Sequence, residues 1–257
     1  MPLAMAASWD PPLVERAQAA AAREARAAGI HWTFAPNLDI ARDPRWGRLI
    51  EGAGEDPFLG AAMARAQVRG FQGAYVGSPG HVLACAKHFA GYGASEGGRD
   101  YDSVYLSDTQ LYNVYLPPFQ AAVDAGVGSF MSAYMDLNDV PATANHFLLR
   151  KVLRDAWGFR GFVVSDALGV GNLLNQGYAR DRADAALRGF KAGTNMEMAS
   201  GTYGENLVRL AGEGKISTAE LDDAVRPILE AKIRLGLFEN PYTDETAVET
   251  VLETPEH

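Results

Sequence analysis

Gly161-Phe162-Val163-Val164-Ser165-Asp166 is the stretch that decides the fold. Its apolar run is too short for a helix and is bounded by glycine, which predicts a fully buried strand. The run stops at an aspartate, and Ala167 and Leu168 read as the opening of a following helix. Asp166 therefore has two readings. It caps that helix, as Ser and Asp commonly do. Or it stands where a buried parallel strand meets its βα loop, at the carboxyl end of the sheet, where α/β proteins do their chemistry.

Working outward, short apolar runs alternate with amphipathic stretches. Strands are expected over 30–40, 82–86, 129–134, 162–166 and 194–198. Helices are expected over 12–28, 57–74, from Ser107 with a bend at Pro117-Pro118, and over 145–156, 182–192, 203–213 and 217–235. Asp10 and Gly29 supply start and stop signals for the first of them. Strand–helix alternation predicts a parallel sheet. The fold class is thus α/β, a partial (β/α)8 TIM barrel of about five of the eight βα units, spanning 1–240. The acidic, Thr-rich stretch 241–257 reads as a linker or tail.

The totals narrow the function. The chain has 257 residues, 47% of them hydrophobic and 21% charged, as in ordinary globular proteins. Lys plus Arg is 23 against 32 for Asp plus Glu, a net charge of −9, which argues against nucleic-acid binding. No apolar run approaches the roughly 18 residues of a membrane span. The first residues lack the basic and apolar regions of a signal peptide, which leaves the compartment open. The single cysteine, Cys85, lies in an apolar run and reads as a buried thiol.

Polar residues at the strand ends should converge on one pocket: Asn37, Asp39, Lys87, His88, Tyr134, Asp166 and Glu197. No Gly-x-Ser-x-Gly elbow precedes a helix, no His-Glu-x-x-His spacing suggests a metal, and the Gly-rich loop 91–98 lacks the Gly-Lys-Ser/Thr of a phosphate loop. No cofactor or metal is expected. Carboxylate chemistry remains, with a cation and an imidazole to bind hydroxyls. Each residue keeps a blander reading. Arg48 pairs with Glu51, Glu55 or Asp56, Lys87 is a solvated strand end, and His88 is a core histidine. An amine nucleophile at Lys87, as in Schiff-base enzymes, is a further alternative.

The segments RDPRWGRLIEGAGEDP (42–57), KHFAGYGASEGG (87–98), LPPFQAAVDAG (116–126), VLRDAWGFRGFVVSDA (152–167) and AGTNMEM (192–198) closely resemble the barrel domain of family 3 glycoside hydrolases, particularly bacterial periplasmic β-glucosidases. The resemblance implies a retaining β-glycosidase acting on a β-linked glucoside or oligosaccharide, with Asp166 as nucleophile. It places Arg48, Lys87 and His88 on the sugar hydroxyls, Tyr134 near the nucleophile and Met131 as an apolar contact. Trp46 is expected to buttress the Arg48 loop. Relatives are periplasmic or secreted.

Two departures carry consequences. In the family, three barrel strands lie upstream of the position matching Met1, one with a sugar-binding aspartate, and the acid/base glutamate comes from a second domain downstream. Ala167 stands where many relatives have an aromatic. The expectation is a truncated barrel whose bare sheet edges favour self-association. A noncatalytic sugar-binding fragment is the alternative to a glycosidase.

Overall fold

The computed structural model describes residues 1–254. Its centre is a four-stranded sheet of β1 (Cys85–Phe89), β2 (Ser129–Ser132), β5 (Phe162–Ala167) and β6 (Met196–Met198), in the order β1-β2-β5-β6. All three pairings are parallel. Between β2 and β5 sits a small antiparallel hairpin of β3 (Asp136–Leu137) and β4 (Val140–Pro141).

The helices α1 (Pro2–Ala6), α2 (Pro11–Ala27) and α3 (Pro57–Gln72) precede the sheet. A short α4 (Asp108–Gln110) widens at Leu111–Tyr115 before α5 (Pro117–Asp124), the expected bend falling at the prolines. A helix over Phe147–Ala156 leads into β5, and α6 (Arg182–Ala192) leads into β6. Then come α7 (Thr202–Gly212), α8 (Thr218–Arg234) and α9 (Ala247–Val251). Local chemistry explains the helix starts. Asp10 accepts from Leu13 N–H at 3.0 Å, Asp56 from Leu59 N–H at 2.7 Å, and Ser217 and Glu220 form a reciprocal capping box. Within 241–254, α9 packs on α2 and Glu253 N–H reaches Glu24 at 3.1 Å. The remainder of the expected tail, 255–257, lies outside the described residues.

Strand periodicity gives the sheet two buried faces. Phe130 and Val163 point toward the helices, where Phe130 lies edge-on to Phe89 and Phe159 at 5.4 and 4.9 Å between ring centroids. Met131 and Val164, one residue on, point to the inner face and pack with Cys85, Trp32, Met196 and Met198. Trp32 crosses that hollow, its ring 5.2 Å from Phe162 and its indole N–H donating to Ser129 at 2.9 Å.

Three expectations are corrected. The segment 30–40 runs parallel to β1, touching it at Trp32–Leu83 and Asn37–Lys87, but forms no continuous strand. The register slips by one residue between those two bridges, at Ala35-Pro36, whose carbonyls accept from Cys85 and Lys87 N–H. The strand expected over 82–86 is centred later, so Lys87 and His88 lie inside β1 rather than beyond it. No helix opens after Asp166. Ala167 still belongs to β5, Leu168 turns with φ +62° while its N–H bonds Met198 O at 2.8 Å, and only a short turn at Gly171–Leu173 follows.

Gly161, just ahead of β5, is required by a close backbone approach. A Cβ there would lie 2.1 Å from Gly128 O. Overpacking a site of this kind costs about 1–3 kcal/mol or more. Gly161→Ala is expected to lower the urea midpoint by a corresponding amount; an unchanged midpoint would show that the two segments can part freely.

Candidate active site

The site forms at the carboxyl ends of the strands, and His88 is its hub. The imidazole is 1% exposed. Its Nδ1 lies 2.7 Å from Asp39 Oδ2, and Asp39 is 2% exposed. A carboxylate can only accept, so Nδ1 carries a proton toward Asp39, and in the neutral imidazole this leaves Nε2 as an acceptor. Arg48 meets that requirement, its Nη2 donating to Nε2 at 3.2 Å. On the same side Nε2 lies 3.4 Å from Asp166 Oδ2. In this tautomer neither of those two atoms has a hydrogen to share. Asp166 Oδ2 is buried and has no donor partner among the described residues, whereas Oδ1 accepts from Ala167 N–H at 2.7 Å. The carboxylate is pinned through one oxygen and open to a donor or an electrophile at the other.

Arg48 is delivered by the loop between 41 and 56. Trp46 is 3% exposed and donates its indole N–H to Asp100 at 3.0 Å, which fixes the loop from below. The guanidinium stands 5.3 Å from the Tyr92 ring centroid and 5.8 Å from that of Trp46. It pairs with Glu51 through two bonds, Nε to Oε1 at 2.9 Å and Nη2 to Oε2 at 3.0 Å. The ion-pair reading and the ligand reading of Arg48 are therefore compatible. Glu51 orients the guanidinium while Nη2 still reaches His88. Burial opposes the Arg48 charge, but the Glu51 pairing outweighs it and lifts its pKa above the ordinary value.

The Glu51 carboxyl is in turn held below its ordinary range, chiefly by the Arg48 bond and against burial, with Lys87 adding to the effect. Its folded pKa lies below the unfolded one. The pairing therefore stabilises the loop above the ordinary glutamate value and is lost as pH falls below about 4.5 through the lower folded value. The melting temperature is expected to drop over that acid window, and Glu51→Gln to remove part of the drop. Calorimetric scans of the two proteins from pH 6 down to about pH 3 check this; identical pH dependence would contradict it.

Lys87, one residue before His88 on β1, is half-buried and makes no ion pair at bonding distance among the described residues. Tyr134 is half-buried beyond the end of β2. Its phenol is pushed up first by burial and then by the neighbouring Asp166 carboxylate. Its ring meets Tyr101 at 5.1 Å and Tyr92 at 6.1 Å, so tyrosines wall one side of the hollow. Met131, 2% exposed, lies deeper, in the apolar floor with Cys85 and Val164. Cys85 is inert there: burial pushes its thiol up to about 12.

Arg48, His88, Tyr134 and Asp166 thus come together, Lys87 stands beside Glu51, and Met131 lies beneath. Glu197 does not join them. It bonds Ser200 and accepts from Tyr203 N–H at 3.0 Å, anchoring the start of α7. The residue least visible beforehand is Asp39 as a dedicated partner of His88. Its only sequence signal is an acid at the polar end of an apolar segment. Among the described residues no group of His, Cys, Asp and Glu side chains is placed to hold a metal ion.

The site is thus a buried aspartate at a strand tip of a parallel α/β sheet, faced by an imidazole and a guanidinium. The chain belongs to glycosyl hydrolase family 3: the description "Glycosyl hydrolase family 3 N terminal domain" fits residues 1–231. It is 43% identical over 241 residues to the periplasmic beta-glucosidase of Salmonella typhimurium, covering 94% of this chain and 32% of that protein. A beta-xylosidase of Formosa agariphila is 41% identical over 249 residues, covering 92% and 34%. The crystal structure of a beta-glucosidase from Listeria innocua superposes with a TM-score of 0.96 at 41% identity, covering 99% of this chain and 36% of that one. The same protein has been solved with glucose and, as a D270A mutant, with laminaribiose. The chain spans about a third of the length of the relatives it matches.

Proposed function

We propose that this chain carries the nucleophile and the sugar-binding side of a retaining β-glycosidase acting on terminal nonreducing β-D-glucosyl residues. The observation that carries this reading is the arrangement around His88. One imidazole, fixed by Asp39, stands within 3.2 Å of Arg48 and 3.4 Å of Asp166. Charged donors grip sugar hydroxyls directionally, and some of those bonds strengthen as the oxocarbenium ion develops. The names of the relatives, beta-glucosidase and beta-xylosidase, point to the same chemistry.

In the proposed reaction a carboxylate oxygen of Asp166 attacks the anomeric carbon while the bond to the leaving-group oxygen breaks. The sugar is left as an ester on Asp166. The departing oxygen takes a proton from an acid, and that group's conjugate base then deprotonates the water that opens the ester. Neither Asp39 nor Glu51 suits the acid's role, since each is already committed to a cationic or imidazole partner. We assign it to sequence beyond the third that this chain shares with its relatives.

An activated aryl 2-deoxy-2-fluoro-β-glucoside needs little help in leaving, which makes it the probe. Mass spectrometry of the incubated chain is expected to show one fluoroglucosyl addition, mapped to the peptide containing Asp166. Calorimetric glucose binding without any adduct would favour the noncatalytic sugar-binding reading instead.

A further inference from the structure

The amino-terminal end of the sheet, opposite Asp166, carries a second concavity of about 480 Å³. Five arginines line it. Arg150 and Arg154 come from the helix Phe147–Ala156, Arg160 from the link into β5, and Arg226 and Arg234 from α8. The charged groups facing them are Asp223 and Glu230, both on α8. None of the five arginines has a carboxylate at ion-pair distance among the described residues. A chain with a net charge of −9 has here gathered an excess of positive charge around one hollow.

Arg154 shows the imbalance most clearly. It gives its Nη atoms to neutral acceptors, Gly161 O at 3.2 Å and Asn195 Oδ1 at 2.9 Å, and stands 5.6 Å from the Phe159 ring centroid. Its Nε is buried without a partner. Burial, and then repulsion from Arg150 and Arg160, bring its pKa down to about 10. At the amino end of a barrel, charged residues usually serve stability. Unpaired like charges at close quarters do the opposite, and a bound anion relieves them. Guanidinium forks match the paired oxygens of phosphate and sulfate, and the volume falls in the usual range for small-molecule sites.

We propose that this hollow is an oxyanion site, taking a phosphate or sulfate group either free or as the ester of a small molecule. It is separate from the Asp166 site and does not depend on the glycosidase reading. Calorimetric titration of the full chain with inorganic phosphate, inorganic sulfate and glucose 6-phosphate tests it, with chloride holding the ionic strength constant. One saturable site is expected, weakened about tenfold or more by Arg160→Ala combined with Arg226→Ala, the scale of losing charge-assisted bonds. Both residues are exposed, so circular dichroism of the double variant should match the parent. Tighter binding of the sugar phosphate would identify an ester as the ligand, and equal binding the free ion. Heat no greater than that of chloride, or equal affinity in the double variant, would overturn the proposal.

Discussion

Asp166→Asn is expected to abolish formation of the fluoroglucosyl adduct, with a fall in rate on the order of 10⁴-fold or more, as when the central group of a catalytic unit is removed. The amide is nearly the same size as the carboxylate and can still accept from Ala167 N–H, the bond now made by Oδ1. What it lacks is the electron pair that forms the ester. Its new N–H group would stand where Asp166 Oδ2 now lies, 3.4 Å from His88 Nε2, whose lone pair already accepts from Arg48. Folding should be preserved, since size and the Ala167 bond are both retained. Equal melting temperatures with no adduct are the expected pair of results. An adduct formed at the parent rate would remove Asp166 from the chemistry.

Asp39→Asn should have the second largest effect, although Asp39 touches no reacting atom in the proposed mechanism. Asp39 fixes the proton on Nδ1 of His88, which leaves Nε2 to accept from Arg48. An asparagine can turn its NH2 toward the ring, and the proton then moves to Nε2. That N–H would face Asp166 Oδ2 and oppose the Arg48 donor. The nucleophile would acquire a hydrogen bond that must be broken before attack. A wrong tautomer of this kind costs on the order of 10²–10⁴-fold in rate. The expected signature is slower adduct formation with glucose affinity reduced much less, and partial recovery in Asp39→Glu. A purely structural role would instead lower stability and leave the adduct rate of the folded fraction intact.

The sequence shows much of this fold because its local signals agree with one another. Asp10, Ser107 and Ser217 stand where helices begin, and the apolar runs opening at Ser129 and Phe162 are buried strands, the first ending at Ser132, two residues before the expected 134, and the second one residue later than expected, at Ala167. Where local signals compete, the reading fails. The stretch 30–40 has the β-branched and aromatic residues of a strand, yet its register against β1 slips by one residue at Ala35-Pro36 and only isolated bridges form. Leu168 looks like a helix opener, but its backbone is taken by Met198.

The site divides the same way. Strand-end placement made Lys87, His88 and Asp166 visible, since each lies on or beside a short apolar run. Asp39 and His88 are 49 residues apart, and nothing local in either segment announces their contact. Arg48 posed a choice between ion pair and ligand. A guanidinium has five N–H donors, and geometry lets it serve Glu51 and His88 together. Glu197 was misplaced for the opposite reason: its strand-end position is right, but its carboxylate is consumed by Ser200 and the first turn of α7.

The shared hollow itself can be seen by diffraction from crystals of the chain grown with glucose. The expected density is one sugar with its anomeric carbon toward Asp166 and its hydroxyls within hydrogen-bond reach of Arg48, Lys87 and His88. Glucose bound elsewhere, or Asp166 turned away from His88, would contradict it.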